Sequence, residues 1–141
     1  MGVTMEVKDI CKKCGGDCCK RYPGITDPKD FKDEKSMREA IASGLFCMDM
    51  WEGEFEGTYN VLYIRPSIKE HEGDILDRSW GGPCTFLTGA GCLLSHDSRP
   101  RQCRELEPTG QGCKQHHKKE SAVRTWVPHQ RILKKIEGEL R

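Results

Sequence analysis

Two runs of cysteine constrain this chain more than any other feature. The first is CKKCGGDCC at residues 11–19, which holds Cys11, Cys14, Cys18 and Cys19. The second spreads Cys84, Cys92, Cys103 and Cys113 over residues 84–113. A ninth, Cys47, stands alone in the apolar run Leu45 to Met50. Residues 1–10 carry no apolar stretch of the kind an export signal needs, so the expected location is the cytoplasm, where thiols stay reduced. In that setting clustered cysteines point to a metal or redox centre rather than a disulfide framework. The odd count agrees, because a closed set of disulfides would strand one thiol.

Spacing narrows the chemistry. Cys11 and Cys14 have two residues between them, the usual bite for one ion or one cluster. Cys18 and Cys19 are adjacent, and neighbouring side chains in extended or turn backbone point apart. Their pairing suggests two sites, or one polynuclear cluster with a second role for one thiol. The two runs together supply enough thiolates for two Cys₄ tetrahedra, or for one Cys₄ cluster and a second site. Soft thiolates favour Zn²⁺ or Fe, including a [4Fe-4S] cluster, over Mg²⁺ or Ca²⁺. The pattern is not that of a zinc finger, since there is no second C-x₂-C and no H-x₃₋₅-H. His96, His116 and His117 could replace a thiolate but read as exposed polar residues. Cys47 reads as a small buried hydrophobe.

Only 35% of the residues are hydrophobic, against 32% charged, with 15 Gly and 7 Pro. Such a chain closes a small, marginal core and benefits from a metal tie between its loops. No apolar stretch approaches the ~20 residues that span a bilayer. The expected fold is a small, loop-rich, metal-stabilised α+β domain, with short helices and hairpins around a cysteine cluster and a helix at the C-terminus. The expected division is a cysteine-cluster metal-binding domain over 1–113 and a basic helical tail over 114–141, packed on it.

Along the chain, Gly15 and Gly16 make 11–19 a ligand loop. Ser36 with Glu39 forms a capping-box pattern before Met37, Ala40 and Ile41, and Gly44 is a helix stop. Asp33 is a second cap that would start the helix a turn earlier. Residues 45–65 read as a β-hairpin whose loop is EGEFEG, residues 52–57. Segment 69–83 reads as a polar loop with Trp80 as an anchor. A short hairpin or paired turn carries Cys84 and Cys92 near its ends. Asp97 or Ser98 caps a short helix that contains Pro100 and Cys103. From Ser121 to Leu140, Val123, Trp126, Val127, Leu133, Ile136 and Leu140 follow a helical period that Pro128 kinks or restarts.

Residues 1–113 hold 15 Lys and Arg against 19 Asp and Glu, whereas 114–141 hold 8 against 3. The basic tail reads as a solvated helix whose apolar stripe docks on the domain; a protein partner is its alternative use, and nucleic acid is disfavoured. Asp49, Glu52, Glu54 and Glu56 read as a solvated acidic hairpin tip rather than an acid–base pair. Arg99, Arg101 and Arg104 either stabilise an anionic thiolate cluster or line a surface helix. No nucleophile elbow, P-loop or HExxH motif is present.

CKKCGGDCC at 11–19, GGPCTFLTGAGCLLSHDSRPRQCREL at 81–106 and Cys113 beyond resemble the CxxCxxCC cysteine-cluster (YkgJ-like) proteins, whose domain is described as zinc- or iron-chelating. The likeness covers about residues 11–113. It departs at one point: Gly15, Gly16 and Asp17 put three residues, not two, before the Cys-Cys pair, which leaves open which of Cys18 and Cys19 is a ligand. The resemblance implies a metal-binding domain, and some larger relatives join such a domain to protein-methylating activity. The leading expectation is a protein that holds Zn or Fe through Cys11, Cys14, Cys18, Cys19, Cys84, Cys92, Cys103 and Cys113. The alternatives are an Fe–S redox or protein-modifying enzyme module, and a nucleic-acid or protein adaptor with structural zinc.

Overall fold

Asp33, not Ser36, opens the helix that carries Met37 and Ile41. Its backbone is extended and its carboxylate accepts from Ser36 N at 2.9 Å and Ser36 Oγ at 3.0 Å, so the serine serves as donor to the cap rather than as the cap itself. Helix α1 runs Glu34–Ala42 and buries Met37 and Ile41. Gly44 follows with φ 82°, and a Cβ there would lie 3.2 Å from Gly73 N. The expected stop is therefore glycine for two reasons, handedness and close approach. The computed structural model that shows this describes residues 24–78, 82–88, 91–94, 98–101, 106–108, 113–115 and 119–141.

The central element is the antiparallel hairpin of β1 (Phe46–Phe55) and β2 (Thr58–Pro66). The expected loop over 52–57 is mostly strand. The turn is only Glu56 (φ 48°) and Gly57 (φ 86°), the paired left-handed conformations of a two-residue type I′ turn. What the pattern hid is a β-bulge. The register steps from Trp51↔Val61 to Glu54↔Tyr59, with Gly53 at φ 87° donating to Asn60 Oδ1 at 3.0 Å. That extra residue returns Phe55 to an inward position, stacked edge-on against Trp51 at 5.3 Å.

Both open edges of the hairpin are covered. On the β2 side, Gln130 uses its amide as a piece of strand. Its Oε1 accepts from Leu62 N at 2.7 Å and its Nε2 donates to Leu62 O at 2.8 Å. Two residues on, Thr26 donates N and Oγ1 to Ile64 O. On the β1 side, Met48 donates to Ile75 O and accepts from Asp77 N, which forms a parallel bridge with Leu76. The segment read as a plain loop over 69–83 thus completes a sheet edge, because unpaired strand groups need partners.

Pro128 divides the C-terminal helical region as its ring requires. Helix α2 spans Lys119–Arg124, a 3₁₀ turn spans Val127–His129, and α3 spans Gln130–Leu140. Val123, Trp126, Leu133 and Ile136 are fully buried with Met48, Val61 and Ile64 in one core. Trp126 also donates Nε1 to Thr26 O at 2.6 Å. The architecture is α+β: a two-stranded sheet, helices against it, and a smaller apolar cluster of Cys84, Phe86 and Leu87 joined through Phe46. Among the described residues no helix is long and apolar enough to cross a membrane.

Candidate metal centre

Of the expected ligands, Cys84 is the one whose side chain lies in the described residues. It is 6% exposed and packs with Phe86, Leu87, Phe46 and Leu94. Its backbone is fixed by an antiparallel bridge to Ile68, with Lys69 N donating to Pro83 O and Thr85 N to Ser67 O. Gly82 makes that approach possible: a Cβ there would sit 2.6 Å from Ile68 Cγ2.

Two short ladders position the next backbones. Strands β3 (Leu87–Thr88) and β4 (Gly91–Cys92) pair Leu87 with Cys92. Leu87 N in turn donates to Cys84 O at 3.0 Å. The hairpin read from Thr88-Gly89-Ala90-Gly91 is therefore present, and it brings the Cys92 backbone beside the residue hydrogen-bonded to Cys84. Strands β5 (Leu106–Pro108) and β6 (Cys113–Gln115) pair Pro108 with Cys113. Cys11, Cys14, Cys18, Cys19 and Cys103, with His96, His116, His117, Arg104 and Trp80, lie outside the described residues, as does most of the helix expected around Cys103.

The arginines next to this segment are not surface ornaments. Arg99 is 2% exposed and donates Nε to Leu94 O at 3.1 Å. A permanent positive charge is thus held against the carbonyl of Leu94, two residues beyond Cys92, which suits an anionic thiolate set. Arg101 reaches across the sequence. Its Nη1 donates to Asp27 Oδ2 at 2.6 Å, and its backbone N donates to Asp30 Oδ2 at 3.0 Å. Asp27 also caps the 3₁₀ turn Pro28–Asp30 through Lys29 N. The chain just after the first cysteine run is thereby pinned to the chain just before Cys103. Asp27 and Asp30 were not among the residues the sequence singled out. The Asp-Pro-x-Asp pattern announces a capped turn, but not that both carboxylates also hold an arginine from the far segment.

The acidic tip is solvated at Glu52, Glu54 and Glu56, as expected, but Asp49 needs a correction. Asp49 is not solvated: its side chain is 14% exposed and its Oδ2 accepts from Arg65 Nε at 2.9 Å. Glu52 pairs with Arg78, and Glu56 with Arg124 at 2.9 Å. Register places Cys47, Asp49, Tyr63 and Arg65 on one face of the hairpin. Cys47 is buried, as expected, but against this polar group and not only hydrocarbon. Burial, with Asp77 and Asp49 adding to it and Arg65 opposing, pushes its thiol up to about 12. It is a neutral thiol at physiological pH.

The chain matches no family model, no curated protein and no solved structure.

Proposed function

We propose that this chain is a metal-binding protein in which thiolates of the two cysteine-rich segments hold Zn²⁺ or Fe at a shared centre. The observation that carries the reading is the Arg101 clamp on Asp27 and Asp30. Cys103 is two residues from Arg101, and Cys19 is eight residues from Asp27. At roughly 3.5 Å of reach per residue, both runs can meet on one ion or cluster near the Cys84–Cys92 hairpin. The enclosed Arg99 charge supports an anionic centre there. A reduced thiolate site also fits a cytoplasmic protein. The adaptor alternative loses ground because tail cations are engaged internally: Arg124 with Glu56, Lys135 with Glu34, and Arg141 with Glu137.

The test is elemental analysis of anaerobically purified protein, read with its absorption spectrum. Stoichiometric zinc in a colourless protein supports a zinc–thiolate site. Iron with sulfide and a broad band near about 400 nm selects the Fe–S form. Protein that is folded and fully reduced yet holds neither metal would overturn the proposal.

A further inference from the structure

Two carboxylates grip Arg101 at two points. Asp30 Oδ2 accepts from two backbone amides at once, Asp27 N at 2.9 Å and Arg101 N at 3.0 Å. Asp27 divides its own carboxylate in the same way. Its Oδ1 accepts from Lys29 N at 2.8 Å, and its Oδ2 accepts from Arg101 Nη1 at 2.6 Å. Arg101 is thus held at its backbone and at its side chain, so its direction is fixed as well as its distance. These are charge-assisted bonds, stronger than neutral ones, and the Asp27 side chain that makes one of them is 4% exposed.

The holder is itself anchored in the core. Thr26, next to Asp27, donates N and Oγ1 to Ile64 O at 3.1 and 2.6 Å, and its carbonyl accepts from Trp126 Nε1 at 2.6 Å. Thr26, Ile64 and Trp126 are all buried. The aspartates therefore extend the rigid hairpin core out to Arg101, two residues before Cys103 in the sequence. Ordering a free segment around a metal costs chain entropy that is lost from affinity. A segment already ordered by folding escapes that cost, so a joint of this kind tightens binding without touching the metal.

We propose that Asp27, Asp30 and Arg101 are positioning residues that set the metal affinity of the thiolate centre, a role that rests on the function proposed above. None of the three is a ligand. Together they hold the chain before Cys103 against the chain that follows Cys19, ahead of metal binding.

Zn²⁺ is the probe, added to the full metal-free chain under reducing conditions in competition with a chromophoric chelator. The Arg101 side chain is 36% exposed, so Arg101→Ala should keep its circular dichroism while binding Zn²⁺ about tenfold or more weakly, as loss of an outer partner does. Arg101→Lys keeps a donor for Asp27 and should regain part of the loss; it carries the comparison if the alanine variant does not fold. Asp27→Asn should weaken binding as Arg101→Ala does, and the double variant no further, because the pair acts as a unit. Arg124→Ala, which breaks the exposed pair with Glu56, should leave binding as it is. Parent affinity in Arg101→Ala, or losses that simply add in the double variant, would overturn the positioning role and leave the thiolate centre standing. A parent chain that takes up no Zn²⁺ would overturn both.

Discussion

Arg65 brings one positive charge into a space it shares with two carboxylates and a thiol. Burial opposes that charge, but Cys47, Asp49 and Asp77 together outweigh it and raise the arginine's pKa. The guanidinium also donates to Pro66 O and Asp77 O, each at 3.0 Å. Arg65→Met would leave Asp49 and Asp77 enclosed without their cation, and should cost about 3–5 kcal/mol in urea unfolding, the usual effect of breaking a buried pair. Cys47 gives a pH signature. Its thiol ionises at about 12 in the folded state against an ordinary 9.0, so between those values the unfolded chain holds fewer protons than the folded one. Stability must then fall as pH rises from 9 towards 12, by at most ~1.4 kcal/mol per pH unit for this group. Tyr63, raised by burial first and Asp49 next, adds a loss of the same sign at higher pH. Thermal unfolding of Cys47→Ala should show a shallower alkaline fall than the parent. A fall of equal slope would place its origin elsewhere. None of this was legible locally, since Arg65-Pro66 reads as a strand end and Asp77 comes from twelve residues away.

At the scale of elements, the hairpin stands because its edges are closed by groups from distant sequence. Gln130 is the clearest instance. It is the first residue of α3, yet its side chain satisfies Leu62 as a neighbouring strand would, and also donates to Trp126 O at 2.9 Å. Gln130→Ala should destabilise by about 1–3 kcal/mol, the cost of leaving partly buried backbone groups without partners. Amide exchange should accelerate first at Leu62; unchanged protection there would show that water replaces the glutamine. The elements themselves were largely readable. The hairpin over 45–65, the Gly44 stop and the Pro128 break follow local rules that the structure bears out. The misread parts are those where local rules compete. Two glycines and three acids at 52–57 look like a loop, but the bulge at Gly53 and the turn at Gly57 use those glycines to extend a strand. Asp33 and Ser36 both cap helices, and the choice between them rests on which lies a turn ahead of the buried Met37 and Ile41.

The whole molecule joins two apolar clusters through rings. Trp126 meets Phe31 at 6.2 Å, Phe31 meets Phe46 at 6.3 Å, and Phe46 meets Phe86 at 5.6 Å. The larger cluster contains α1, the hairpin and the C-terminal helices. Among the described residues the smaller has three buried members, Cys84, Phe86 and Leu87, and depends more on whatever ties the cysteine segments together. Because metal binding to a folded site is folding free energy, chelation under reducing conditions should lower amide protection around 82–94 well before it touches Val61 to Ile64. Equal protection with and without chelator would make the metal an accessory on a self-sufficient fold. The candidate ligands were visible in the sequence, since cysteine spacing is a direct statement of chemistry. The Asp27–Arg101 contact was not, because a link between residues 74 positions apart leaves no periodic trace. The shared centre is tested most directly by anaerobic Co²⁺ substitution, following the thiolate-to-cobalt charge-transfer band in the near ultraviolet. The account predicts a band in the parent chain that Cys14→Ser and Cys103→Ser each diminish and Cys47→Ser leaves intact. A parent with no such band, or a band that keeps its full intensity when either cysteine segment loses its ligand, would contradict it.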